Sequence, residues 1–368
     1  MHVGWSALAL TLVASAAHAA PRGFDGPDSD DGGFQSVAPT PEALARYQAA
    51  ARYSKAHGGR ALLVVEGDAV VFEAAQNGYD NHHGHALWSG TKSFACALAL
   101  AAQADGKLSL DERAAAALPA LAENPNADAI TVRDLLAFTS GLDDDGDALT
   151  IDFSRARPRV ADKYRWVVDH IATLARKPPG VGFTYVPSHL ALFGALMRAK
   201  LGRDPVDYLQ EKVLDPIGFH ATGWQRDPAG NPAFAFGVYT TPRAWARFGV
   251  LVRDDGLFRG RRVLPAGAFG QCFRGSAAMP AYGLTWWLNE PIPAELRRLV
   301  PGALGGLARQ GRAFLPDGPA DLVVAAGWKD NRLYVIPSRR LVVVRFGEGD
   351  DGFADPALLG ALLGGAAH

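Results

Sequence analysis

Residues 85–102 read HALWSGTKSFACALALAA, and the chain steps there from polar to almost wholly apolar. Ser89 and Lys92 stand at that step, three residues apart, a spacing that puts both side chains on one face of a helix start. The segment that follows, FACALALAA, is apolar nearly all round, which predicts a buried helix. A lysine in its first turn is desolvated and close to the positive end of the helix dipole, and both effects favour the neutral amine. Such an amine can take a proton from a serine hydroxyl, while the free N–H groups of the helix start can hold an oxyanion. Alone, the pair reads more readily as an N-cap serine followed by a solvated lysine, since S-x-x-K often occurs by chance. The rest of the chain has to decide.

Outward from this stretch the texture is strand, helix, strand. Upstream, PEALARYQAAARYSKAHGG has apolar positions at helical spacing and a glycine C-cap, and ALLVVE-GD-AVVFEA is a hairpin. Downstream, alanine- and leucine-rich helical stretches run over 94–234. The last third returns to short β-branched and aromatic runs, among them DLVVAAG and the hairpin RLYVIP-SRR-LVVVRF. Strands at both ends with helices between imply an α+β fold (an α/β sandwich). One antiparallel sheet is formed from both chain ends (43–93 and 235–368) and flanked by helices, with an all-helical lobe (94–234) inserted. The step at Ser89 then lies on the seam between the lobes, where clefts form.

Residues 5–17 are apolar and Ala17-His18-Ala19 fits a small-x-small cleavage site, so residues 1–20 are expected to be a secretory signal peptide. Residues 21–42, rich in Asp, Gly and Pro, read as a flexible linker. The expected location is therefore periplasmic or extracellular, with no membrane anchor once the signal is removed.

Net charge is −1, from 37 Lys+Arg against 38 Asp+Glu, which argues against a nucleic-acid partner. No Walker loop or G-x-S-x-G elbow occurs, and GVGFTY (180–185) lacks the third glycine of a dinucleotide loop. DNHHGH (80–85) reads as a surface loop rather than a metal site, with His85 as a candidate for the cleft mouth. DDDGD (143–147) reads as a solvated turn. Cys96 lies on the apolar helix, where a lone thiol acts as a small hydrophobe; an oxidising compartment would also permit its pairing with Cys272.

Several ordered blocks resemble the serine β-lactamase-related hydrolases, a group that takes in class C β-lactamases, DD-peptidases, β-lactamase-type carboxylesterases and 6-aminohexanoate-dimer hydrolases. They are WSGTKSF, ADGKLSLDE (104–112), ITVRDLLAFTSGL (130–142), PPGVGFTYVPSHLALFGALM (178–197), DPIGFHATGW (215–224), 240–265 and AAGWKDNRLYVIPSRRLVVVRFG (325–347). The resemblance covers nearly everything after the linker and implies a β-lactamase/transpeptidase-like fold. It makes Ser89 the acylated nucleophile, Lys92 its base partner and Tyr185 the phenol that relays the proton to the leaving group, with no metal or organic cofactor. The backbone N–H groups of Ser89 and Trp328 would form the oxyanion hole, and Gly327 would allow close approach of substrate. Ser188 and Trp286 are further candidates for the cleft wall, and Trp286-Trp287 reads otherwise as sheet core.

The chain departs from the family at Pro187, where relatives often carry Asn, and at Ala325, where penicillin-recognising relatives carry a cation. Lys329, Asp330 and Asn331 replace a run that is more often Gly-Gly-Gln. Without the cation, a lactam or peptide carboxylate has no partner. The expected substrates are therefore small esters or amides. A true class C β-lactamase or DD-peptidase, or a non-catalytic binding protein on the same fold, are the alternatives.

Overall fold

The computed structural model describes residues 34–144, 149, 160–300 and 314–364. The expected signal peptide, most of the linker, and Asp145–Asp147 of the acidic turn lie outside the described residues.

A seven-stranded sheet forms the centre. Its strands are β1 (Gln35–Ser36), β2 (Gly59–Glu66), β3 (Ala69–Ala75), β4 (Trp287–Leu288), β5 (Val323–Gly327), β6 (Asn331–Ile336) and β7 (Leu341–Gly347), in the order β1-β3-β2-β7-β6-β5-β4. N-terminal β2 pairs antiparallel with C-terminal β7, so the two ends of the chain close one sheet. Among the described residues, only the two-residue edge strand β1 runs parallel to its neighbour. β2, β6 and β7 are buried along most of their length, largely as Leu and Val runs interrupted by Arg332 and Arg345, because both faces of the sheet are covered. Helix α4 (Pro242–Arg253) packs on one face against β7, β6 and β2, while α1 (Pro41–Ala56) and α5 (Asp355–Leu363) pack on each other and α1 on β2. Gly249 lets α4 approach: a Cβ there would stand 2.5 Å from Val342 Cγ1.

Between the two sheet-forming halves the chain is largely helical, including α2 (Ser93–Ala104) and α3 (Ser188–Leu201). Gly223–Trp224 is a short strand inside this stretch. It joins Val238–Thr240 and His85–Ala86 in a three-stranded sheet that ties the helical part to the segment entering Ser89. Two-residue strands carry no period, so the sequence shows only a helix-rich region there.

Cys96 and Cys272 form a disulfide with Cα atoms 6.4 Å apart. It fastens α2 to the segment preceding β4, so the helix that carries the Ser89–Lys92 turn is anchored to the sheet edge covalently as well as by packing.

Candidate active site

Ser89 and Lys92 lie on a 3₁₀ turn, Trp88–Lys92, that leads directly into α2. Side chains three apart eclipse on such a turn, which aligns the two groups more closely than an α-helix would. Trp88, just before the serine, has φ 50°, a left-handed backbone that a bulky residue holds only when its surroundings enforce it. The surroundings do: Leu87 N–H donates to Val238 O (2.9 Å), Val238 N–H donates to Thr91 Oγ1 (3.0 Å), and Ser93 Oγ donates to Gly90 O (2.7 Å).

Lys92 Nζ stands 2.8 Å from Ser89 Oγ and 2.7 Å from the Ala235 carbonyl. Its side chain is buried, and burial lowers its pKa from 10.5 to about 7. A neutral amine fits these contacts, with one N–H donated to Ala235 O and the lone pair facing the serine hydroxyl. Ser89 and Tyr185 are partly open to solvent. The candidate nucleophile is accessible; its candidate base is not.

Tyr185 lies three residues before α3 and its ring sits 4.8 Å from Lys92 Nζ. Phe138, at the left-handed C-cap of the helix Val132–Ala137, stacks on the Tyr185 ring at 5.2 Å. Thr184 N–H donates to Phe138 O (3.1 Å), and His189 Nε2 lies 2.8 Å from Thr184 O. Burial holds His189 down near a pKa of about 3, so this ring is neutral, with Nε2–H donating to Thr184 and Nδ1 accepting from Ser140 Oγ at 2.9 Å. Burial also raises Tyr185 to about 12, with the Ser89 hydroxyl and the Trp287 indole pulling it back. The indole nitrogen is near enough to act on the phenol, although no hydrogen bond closes on it. At neutral pH the phenol keeps its proton, whereas a large share of the amine has already lost one. That orders the two groups, which the sequence leaves open: Lys92 is the stronger candidate base, Tyr185 the proton donor.

The third part is the end of β5. Gly327 is buried, and a Cβ there would stand 2.0 Å from the Leu87 carbonyl. One close approach that requires glycine is therefore to the backbone entering the Ser89 turn. Trp328 follows, 44% exposed, with its ring 5.0 Å from Trp88 in an edge-on contact. Ala325 and Ala326 are buried, and the nearby cation Lys329 is turned to Glu348 at 2.8 Å.

Two wall candidates need correction. Trp286 is buried against Phe248 and Phe273; Trp287 is buried as well, but its ring lies 5.9 Å from the Tyr185 ring. Ser188 is also fully enclosed and its Oγ has no hydrogen-bond partner; its N–H donates to Asp144 Oδ2 at 3.2 Å. Asp144 is itself buried at the start of α3, so this part of DDDGD is not a solvated turn. His85 is held by stacking on Phe346 (4.8 Å) and lies 3.7 Å from Glu348. The Ala235 carbonyl and His189 were not singled out from sequence; a backbone acceptor leaves no residue signature at all.

A profile of the Beta-lactamase family matches residues 42–363. No curated protein matches at a significant level. Among solved structures the chain is similar to a penicillin-binding protein homologue from Caulobacter crescentus (TM-score 0.65, 17% identity, covering 90% of this chain and 99% of that one). It is also similar to a D-stereospecific amidohydrolase from Streptomyces sp. (0.60, 17%, 89% and 100%) and to a family VIII carboxylesterase (0.62, 16%, 89% and 98%). With the family profile spanning the sheet, the helical part and all three site segments, the chain belongs to the beta-lactamase family.

Proposed function

We infer that this protein is a serine hydrolase that passes through an acyl-enzyme on Ser89 and acts on small, uncharged esters or amides. The main support is the buried Lys92 amine, 2.8 Å from the Ser89 hydroxyl and held by a carbonyl rather than a carboxylate. A carboxylate there would hold the ammonium firmly; against a neutral carbonyl, burial decides and favours the free base.

Neutral Lys92 takes the proton of Ser89 Oγ as that oxygen bonds to the substrate carbonyl carbon. The charge that develops on the carbonyl oxygen is met by the backbone N–H groups of Ser89 and Trp328. Tyr185 donates its phenolic proton to the leaving oxygen or nitrogen, and the Lys92 ammonium restores it. Water then attacks the ester on Ser89 with Lys92 again as base, releasing the acid and the free enzyme. The phenol is the donor because its pKa stands near 12 while a departing alkoxide or amide anion is more basic.

The absence of a cation at Ala325, with Lys329 engaged by Glu348, favours neutral acyl groups over lactam or peptide carboxylates. The apolar N-terminal run and the Cys96–Cys272 disulfide favour export to an oxidising compartment.

The test is a panel of p-nitrophenyl esters, anilides and a chromogenic cephalosporin, run on wild type and Ser89→Ala. Ester or anilide turnover that disappears in Ser89→Ala, with an acyl mass shift on the Ser89 peptide, is expected. Lactam turnover exceeding ester turnover would restore the β-lactamase alternative. Equal inactivity of both proteins, with no adduct, would leave the binding-protein alternative.

A further inference from the structure

The β5–β6 turn that carries Trp328 is built without glycine at its strained positions. Lys329 and Asp330 both have φ 60°, a left-handed conformation that side-chain-bearing residues hold only when their surroundings enforce it. Three side chains hold it by its carbonyls. Arg332 Nη1 donates to Gly327 O at 3.0 Å, Asn331 Nδ2 to Trp328 O at 2.6 Å, and Arg345 Nη1 to Asp330 O at 2.7 Å.

The first of these contacts touches the chemistry. Gly327 O and the Trp328 N–H belong to one peptide unit, which is trans, so the two groups point in opposite directions. Whatever fixes the carbonyl also aims the N–H. Arg332 is fully buried and rigidly held: its Nε donates to Asp355 Oδ1 at 2.8 Å, and Nη1 also reaches Asn331 O at 3.1 Å. A charged donor on the carbonyl draws electron density from the amide and makes its N–H a stronger donor, an effect of cooperative hydrogen bonding in a low-dielectric site. β5 packs against the Trp88–Lys92 turn, so this peptide lies beside the nucleophile's own segment.

We propose that Arg332 is a positioning residue for the oxyanion hole, orienting and polarising the Gly327–Trp328 peptide so that the Trp328 N–H meets the charge developing on the substrate carbonyl. This rests on the acyl-enzyme reading above. Lysine at the same position keeps the positive charge but lacks the planar fork that spans Asp355 and Gly327 together.

The experiment compares wild type, Arg332→Lys and Asp355→Asn with a slowly deacylated ester. It records kcat, KM, Tm and the carbonyl stretching frequency of the acyl-enzyme by infrared difference spectroscopy. Arg332→Lys is expected to shift the stretch to higher frequency, as a less polarised carbonyl does. It should also lower kcat roughly 10- to 100-fold with KM changed by less than about threefold. Asp355→Asn, which leaves Arg332 free to hold Gly327 O, is expected to lower Tm without moving the stretch. Should Arg332→Lys fail to fold, the double replacement Arg332→Met with Asp355→Leu removes the buried pair together and is expected to show the same shift. An unmoved stretch in either Arg332 variant would overturn the proposal, as would an equal shift in Asp355→Asn. If wild-type Ser89 takes up no acyl group, the acyl-enzyme reading itself fails, a different outcome from an acylated Ser89 with an unmoved stretch.

Discussion

Lys92→Met is expected to slow acylation of Ser89 by about 10²–10⁴-fold, the range for losing a general base, while making the protein more stable at neutral and acid pH. The stability change follows from the direction of the lysine shift. In the folded chain the Lys92 pKa falls from 10.5 to about 7 because burial disfavours the ammonium. The unfolded chain therefore binds the proton more tightly, and folding carries a penalty that is absent above about pH 10.5. The penalty grows as pH falls and is complete below about 7. Methionine matches the length without the charge, and loses only the hydrogen bonds to Ala235 O and Ser89 Oγ. Thermal melts at about pH 6 should give a Tm several degrees above wild type, and the difference should shrink or reverse near pH 10, where the wild-type amine is neutral. A Lys92→Met protein that melts lower than wild type at pH 6 would mean that the ammonium is stabilised in the fold.

The second large effect is expected from Gly327→Ala. Its Cβ would be placed 2.0 Å from the Leu87 carbonyl, a backbone atom that no rotamer change can move aside. Either the end of β5 or the Trp88–Lys92 turn must shift, and each carries one of the two proposed oxyanion N–H groups. We expect kcat to drop by about 10²–10³-fold, as when an oxyanion donor is removed, together with a loss of about 1–3 kcal/mol in urea unfolding. Near-wild-type kcat in the folded variant would show that Trp328 N–H is not part of the hole.

Much of this molecule can be read from its residues, and the failures have definite causes. The hairpins at both ends announce themselves through β-branched runs around Gly67-Asp68 and Pro337–Arg340, so a sheet closed by the two termini is legible. The step at Ser89 is legible because an apolar helix with a lysine in its first turn is a costly thing to build. Trp286 and Trp287 are both buried, as a sheet-core reading expects, and which of the two neighbours the Tyr185 ring is set by packing that the sequence does not display. Arg332 sits in RLYVIP as an ordinary strand-start charge. Its meaning appears only when Asp355, 23 residues later, is folded against it. Asp144 is hidden for the same reason, since its acidic run looks hydrated until the start of α3 closes over it. The disulfide is left open by a sequence separation of 176 residues, which no local rule can bridge.

The central claim, a neutral buried lysine activating Ser89, is tested most directly by the pH dependence of the acylation rate. It is read by mass spectrometry of the Ser89 peptide before the first turnover is complete. The expected rate rises about tenfold per pH unit in the acid range, bends near the Lys92 value of about 7, and stays level well into alkaline pH because Tyr185 holds its proton to about 12. A rate that still climbs tenfold per unit up to about pH 10 would place Lys92 at its ordinary pKa and contradict the account, as would an equal profile in Lys92→Met.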